Sequence, residues 1–398
     1  MTRPIIVYVA ATLIYAGPVV RSLLLPLRVH ELGGDKVAVG LVVGSWPLVI
    51  AVLALPGGML GDRFGRMRVL VVANLAGAVT LLGLGASTSI PALLFFQMLG
   101  GASLAFSTPA LLRVLTESVP RERLGRALGW FWVTGQAGAS VAPAIAGYLA
   151  GFVGIRTVLA GTAVLPLVSL AVILAGVRTG PRVKGLSIDL PATIREIVRL
   201  PGLLGLALLV LAVAMIWGTI NGFFAIFGTQ QLHLTPVEIG LLLGVSAVSN
   251  VISRPVLGSI IDRVRSPLVI GGVGAFGAAT MLLLLPHVWG FWLPALLIFA
   301  GAPFVSAGIV AGNHGFTKVA AGGGGGAMMG VYTALSMGGQ GVGPPLFAPL
   351  IQHSGWLIGF TTAGLTTAGL AAAGVLLGRR HELGGGRVSS IRPAVQDR

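Results

Sequence analysis

Long stretches of this chain carry no charge, and that feature decides what it can fold into. No Asp, Glu, Lys or Arg occurs between Leu203 and Thr235 or between Leu268 and Gly312. An apolar stretch of about 20 residues crosses the hydrocarbon layer of a bilayer as a helix, because each backbone N–H and C=O must be satisfied within its own segment. Such stretches recur along the 398 residues, near 4–27, 37–60, 69–87, 90–116, 124–150, 155–177, 203–228, 237–260, 267–286, 289–312, 327–351 and 355–378. The expected fold class is therefore an all-α membrane protein with 12 transmembrane helices. Only 9% of the residues are charged, against roughly 25% in an ordinary soluble domain, so they cannot supply a water-facing surface. The segment Pro4 to Leu27 is too long for the apolar region of a cleavable signal and is expected as the first span.

Positive charge orients the spans, since loops rich in Lys and Arg stay in the cytoplasm. With the N-terminus inside, twenty basic residues fall on one side, from Arg3 and Arg63 to the tail Arg398, while the other side collects only Arg28, Lys36 and Arg156. The expected location is the cytoplasmic (inner) membrane, multi-pass, with both termini cytoplasmic. The basic residues occupy short loops rather than one amphipathic face, so the net charge of +15 does not point to nucleic acid. Without cysteine there is no disulfide framework or thiol nucleophile.

The chain reads as a duplication. A shift of 200 residues brings Gly40, Leu41, Gly44, Gly58, Asp62 and Arg63 onto Gly240, Leu241, Gly244, Gly258, Asp262 and Arg263. A shift of 201 brings Gly129, Gly138 and Pro143 onto Gly330, Gly339 and Pro344. Equal numbers of spans separate equivalent positions, so the expectation is two parallel six-helix repeats about an axis along the membrane normal, with substrate held between them. The expected organisation is an N-terminal six-helix bundle at 1–178, a cytoplasmic linker at 179–201, a C-terminal bundle at 202–378 and a cytoplasmic tail at 379–398. Within the linker, Leu186 to Leu200 has the pattern of an interfacial amphipathic helix.

Between the second and third spans lies Gly58-Met59-Leu60-Gly61-Asp62-Arg63-Phe64-Gly65-Arg66-Met67-Arg68. Glycines there permit a tight turn and close helix approach, and the charges can form a network at one mouth of the protein. A loop that only sets topology needs arginines but not Asp62 at that spacing, so a gating network of Gly58, Asp62, Arg63, Gly65, Arg66 and Arg68 with Glu117 is expected. The run resembles the cytoplasmic signature of the major facilitator superfamily. That resemblance implies a contact that closes the cytoplasmic side, with Asp62 against the start of the helix that follows Gly322 to Gly326, whose free N–H groups attract a carboxylate. The second copy, Gly258, Asp262 and Arg263, is degenerate, because Arg265 and Ser266 stand where the first has Gly65 and Arg66. By the repeat, Asp262 is expected to face Leu124 and Gly125.

Gly129, Gly138, Pro143 and Gly147 in the fifth span resemble the antiporter motif of the same family, with Ala142 and Ala146 in place of two glycines, and Gly330, Gly339, Gly343 and Pro344 repeat it in the eleventh. Generic packing by small residues explains them equally well, so they bear on the fold more than on the direction of transport. Exporters of the drug/proton antiporter branch carry an arginine in the fourth span where this chain has Gln97. No carboxylate falls at mid-membrane either, so coupling to protons needs another carrier, such as Glu31, Glu117 or Glu238 reached through water, or a protonatable substrate.

The resemblance implies a cavity lined chiefly by the first, fourth, seventh and tenth spans, with contributions from the second, fifth, eighth and eleventh. The candidates for holding solute there are Tyr15, Arg21, Gln97, Gln136, Trp217, Asn221, Asn250, Tyr332 and Gln340, although a polar side chain between helices is as readily a structural hydrogen bond. Arg21 is expected about 9 Å below the outer end of its span at 1.5 Å per residue, as an anion or gate residue or as a chain that snorkels outward. Arg113 is expected to pair with Glu117, and Arg254 with Asp262. No phosphate loop, metal cluster or nucleophile elbow is present in the sequence, so neither enzyme nor cofactor is expected. The function expected is secondary transport of a small molecule by a lipid-embedded monomer, with export of a hydrophobic or amphipathic compound ahead of an organic-anion or nutrient transporter using Arg21, and of a non-transporting receptor.

Overall fold

In the computed structural model, which describes residues 2–176, 201–264, 266–320 and 325–383, the chain is built from helices. They are α1 (Thr2–Glu31), α2 (Lys36–Phe64), α3 (Arg66–Ala86), α4 (Ile90–Ser118), α5 (Leu124–Gly161), α6 (Val164–Gly176), α7 (Pro201–Gln230), α8 (Pro236–Arg263), α9 (Pro267–Leu284), α10 (Trp292–Ala320) and α11 (Gly325–Leu383). Most of the linker, including the amphipathic stretch Leu186 to Leu200, lies outside the described residues, as do Gly322–Gly324 and the tail beyond Leu383.

Ten of these helices are long and apolar enough to cross a membrane. Two are too long for a single crossing. The 59 residues of α11 include Gly355 at φ 80°, and α5 includes Gly154 at φ 80°. A left-handed backbone of that kind is open to glycine and costly for other residues. Beyond Gly355 the second arm of α11 runs back along α9, with Gly364 against Leu283 and Gly378 against Leu268. Beyond Gly154 the second arm of α5, continued by α6, runs back along α3 and α1, with Ala160 against Gly85, Pro166 against Gly77 and Gly176 against Ile6. Counting each arm as a crossing and α6 as the continuation of α5 gives twelve segments among the described residues. The two reversals are themselves repeat-equivalent, since the 201-residue shift carries Gly154 to Gly355.

Helix starts repeat as well. Asp35 caps α2 by accepting from Ala38 N at 2.8 Å, and Thr235 caps α8 by accepting from Glu238 N at 3.3 Å. The left-handed residue before each cap is Gly33 in one copy and His233 in the other.

Apolar side chains cover the outside, including Val52 at 74% and Trp292 at 80% exposure. Such a surface is stable against lipid and not against water, and the protein is a multi-pass membrane protein. Arg28, Lys36 and Arg156, the three basic residues at the sparsely charged end, bond backbone carbonyls near helix C-termini: Arg28 to Ser87 O at 3.0 Å, Arg156 to Gly85 O at 3.3 Å and Lys36 to Ile351 O at 3.2 Å. Cations there complement the helix dipole, which explains why these charges persist on that side.

Candidate functional site

Two helix seams join the halves. In the first, α2 lies along the first arm of α11. A Cβ built at Gly40 would stand 2.8 Å from Pro344 O and 2.9 Å from Ala348 Cβ, and one at Gly44 would meet Gly341 O and stand 2.9 Å from Pro345 Cδ. In the second, α8 lies along α5, with a Cβ at Gly240 2.5 Å from Pro143 O and one at Gly244 2.8 Å from Ser140 O. Bare glycine lets the backbones approach this closely.

The seams are one contact used twice. The 200-residue shift carries Gly40 and Gly44 to Gly240 and Gly244, and the 201-residue shift carries Ser140 and Pro143 to Gly341 and Pro344. Exchange of partners in this way is the mark of a two-fold axis relating parallel repeats. His30 and Gln230, themselves 200 residues apart, meet across that axis at 3.4 Å.

Both seams hold at the same end of the molecule. There Lys36 N–H donates to Gln352 Oε1 at 3.1 Å, and Lys36 Nζ lies 4.3 Å from the centroid of the Trp356 ring. The first seam continues inward to Leu48 against Gly341 and thins at Ala51, whose Cβ is 3.9 Å from one built at Gly338. At the other end, nothing among the described residues comes within 4 Å of a Cβ built at Gly125, Gly129 or Gly258. The space between the halves is thus sealed at the end bearing His30 and Lys36 and, among the described residues, parted at the end bearing the charged motif.

At the parted end, Gly65 joins α2 directly to α3 at φ 89° and ψ 133°. Arg66, buried, forms an ion pair with Glu117 at the end of α4, while Arg68 and Arg263 are exposed. The side chains of Asp62, Arg63 and Asp262 lie outside the described residues, as do Gly58 and Gly326 beyond their helical backbone, and the expected contacts of Asp62 with the Gly326 region and of Arg254 with Asp262 fall there too. Gly125, the expected target of Asp262, meets nothing within 4 Å among the described residues.

The candidate cavity residues do not form one group. Trp217, Tyr332 and Gln340 share a cavity of the C-terminal half with Ser336, and the Tyr332 hydroxyl donates to Ile309 O at 3.1 Å. Tyr15 lies between α1 and α5, its hydroxyl 3.2 Å from Thr108 Oγ1 and its ring 6.2 Å from Phe131 and 6.0 Å from Trp132. Gln136 stands half-buried on α5. Asn221 donates to Trp217 O on its own helix at 2.8 Å. Asn250 donates to Ser246 O on its own helix at 2.9 Å and accepts from Ser306, a bond that joins α8 to α10.

Arg21 and Gln97 correct the expectation of a place between the halves. Arg21 Nη1 donates to Gln97 Oε1 at 3.1 Å inside the N-terminal half, and both residues are buried. Because α1 continues to Glu31, Arg21 lies ten residues from the helix end, about 15 Å along the axis rather than 9 Å. Its side chain crosses to α4 instead of snorkelling outward. The guanidinium that Gln97 lacks is therefore delivered to its side by α1.

Among the packing-motif residues, Gly138 lies against Thr12 of α1, Gly147 against Pro236 of α8, Gly339 and Gly343 against α7, and Pro344 against Gly40. No described residue comes within 4 Å of a Cβ built at Gly129, and Gly330 is half-buried on α11. The contacts of Lys36 with Trp356 and of His30 with Gln230 were not legible as functional from spacing.

A model of the Major Facilitator Superfamily matches residues 7–322 and 206–394. The chain is 33% identical over 138 residues to the multi-drug resistance efflux pump PmrA of Streptococcus pneumoniae, covering 34% of each chain. It is 27% identical over 322 residues to the tetracenomycin C resistance and export protein of Streptomyces glaucescens, covering 67% of this chain and 58% of that one. The match thus spans about a third of the first relative and somewhat over half of the second. Among solved structures, a bacterial homolog of the human lysosomal transporter Spinster, in an inward-facing and occupied conformation, superposes with a TM-score of 0.74 at 17% identity, covering 95% of this chain and 96% of that one.

Proposed function

The chain belongs to the Major Facilitator Superfamily, and on that premise we propose that it is a secondary transporter that exports a hydrophobic or amphipathic small molecule by alternating access. The observation that carries this reading is the pair of repeat-equivalent seams, closed together at one end while the other end is parted. Two bodies related by a two-fold axis, 1–178 and 202–378, can rock so that both seams open at once. By the positive-inside rule the sealed end is the outer one, which makes this conformation inward-facing in an inner membrane with both termini cytoplasmic. In the opposite state Asp62 lodges against the start of α11 and closes the inner mouth. The chain works as a monomer surrounded by lipid.

Aromatic and apolar groups around Tyr15, Trp132, Trp217 and Tyr332 suit an amphipathic cargo better than a highly polar nutrient. The relatives named for drug efflux point the same way. Arg21 lies within one half rather than between the two, which weighs against its use as the main cargo contact.

Of the three carboxylates open to proton coupling, Glu31 pairs with Arg28 and Glu238 closes the cap at Thr235, both at the sealed end. Glu117 stands at the parted end, paired with Arg66, so its protonation, which frees Arg66, is the route by which a proton enters the cycle. Glu117→Gln is expected to abolish the response of transport to an imposed proton gradient. The charge exchange Arg66→Glu with Glu117→Arg keeps a protonatable carboxylate in the same ion pair and is expected to retain part of that response. Initial rates at several pH values in reconstituted vesicles read both.

The function itself is tested by reconstituting the full chain in vesicles and following a lipophilic cationic dye under an imposed proton gradient. Gradient-dependent accumulation is expected. Binding of dye without flux in either direction would leave a receptor, not a transporter.

A further inference from the structure

Arg21 is buried in the N-terminal half, at 6% exposure, apart from the seams and the charged mouth. Its Nη1 is occupied by Gln97 Oε1 at 3.1 Å, and its guanidinium carbon lies 5.0 Å from the centroid of the Trp46 ring. Nε is buried and meets no hydrogen-bond acceptor among the described residues. Among the described residues no carboxylate forms an ion pair with Arg21. With Nη1 engaged, the Nε–Nη2 edge is left, and this edge matches the two oxygens of a carboxylate through parallel hydrogen bonds.

Arg21 forms the charged wall of a cavity between α1, α3, α4 and α6. Thr80, on the same cavity, carries a buried hydroxyl that also has no partner. Gly100 brings the two together: a Cβ there would come 2.7 Å from Arg21 Nη1 and 2.8 Å from Thr80 Cγ2. Leu13, Ile14, Leu81 and Leu104 supply hydrocarbon to the wall, and Ser103, Ser107 and Asn74, whose Oδ1 is also buried without a partner among the described residues, supply its polar remainder. The space holds only a few water-sized groups, far less than a drug-sized molecule needs.

We propose that this cavity binds a short-chain monocarboxylate. The carboxylate sits on the Nε–Nη2 edge of Arg21 and takes the Thr80 hydroxyl as a further donor, while the carbon chain lies against Leu81 and Leu104. Multivalent oxyanions bring charge without an apolar part and do not match these walls. All residues around the cavity come from the N-terminal half, so the site stands whether or not cargo passes between the halves.

The test is calorimetry on the full chain in lipid nanodiscs, with butanoate as probe and with butanamide and chloride as comparisons. Butanoate is expected to bind once per chain, and butanamide and chloride not to bind or displace it. Arg21→Gln is expected to weaken butanoate by at least about tenfold, and Thr80→Val by a smaller factor. Should Arg21→Gln fail to fold, the ligand comparison on the native cavity and the Thr80→Val variant still decide. No butanoate binding, equal binding of butanamide, displacement by chloride, or an unchanged affinity in Arg21→Gln would each overturn the proposal.

Discussion

Replacing Gly44 by valine is expected to reduce transport by roughly 5- to 150-fold while the chain still inserts and folds. The first atom added would meet the Gly341 carbonyl and stand 2.9 Å from Pro345 Cδ, and both belong to rigid helix rather than to a flexible side chain. Relief therefore requires α2 and α11 to part at the outer end. Overpacking of this kind costs about 1–3 kcal/mol, which shifts a two-state balance by roughly 5- to 150-fold away from the sealed form. The repeat makes the prediction double: Gly240→Val, on the other seam, is expected to act in the same way, because its Cβ would stand 2.5 Å from Pro143 O. Gly151→Val serves as the comparison, since nothing lies within 4 Å of that position. Flux and expression level, measured side by side for the three variants, separate a lost closure from a lost fold.

A covalent tie across the axis is expected to stop transport by the opposite route. His30 and Gln230 meet at their tips at 3.4 Å and both are exposed. His30→Cys with Gln230→Cys, joined by a thiol-reactive linker of about the reach of the two lost side chains, holds the outer end shut. The chain has no cysteine of its own, so nothing else in it reacts. Transport is expected to vanish in the joined protein, to persist in each single-cysteine variant treated with the same reagent, and to return when a cleavable linker is cut. Continued transport in the joined protein would mean that the outer end does not open during the cycle.

Much of this architecture was legible in the sequence because membranes leave few choices. Uncharged stretches mark the spans, and the 200- and 201-residue shifts expose the duplication. The same shifts contained more than spacing alone suggested. Gly154 and Gly355, which reverse α5 and α11, are equivalent positions, and so are Gly33 and His233 before α2 and α8. What remained hidden depended on contacts between helices. The first span was expected to end near Leu27, where apolar character stops, yet α1 continues to Glu31 because Arg28 is neutralised by Glu31 and held by Ser87 O. That extension places Arg21 deeper than hydropathy indicates. Its meeting with Gln97 rests on the room left at Gly100, which no periodicity reveals. Asn250 illustrates the converse, since a polar residue in a span proved to be joined to Ser306 rather than facing open space.

Distance measurement between spin labels at both ends of one protein tests the rocking of the halves most directly. Labels at cysteines replacing His30 and Gln230 report the outer end, and labels replacing Arg126 and Ser259, exposed on α5 and α8, report the inner end. The account predicts two populations in lipid, one with a short outer and long inner distance and one with the reverse, whose proportions shift together when cargo or a change of pH is imposed. Distances at the two ends that stay fixed, or that lengthen in the same population, while vesicles continue to transport, would contradict it.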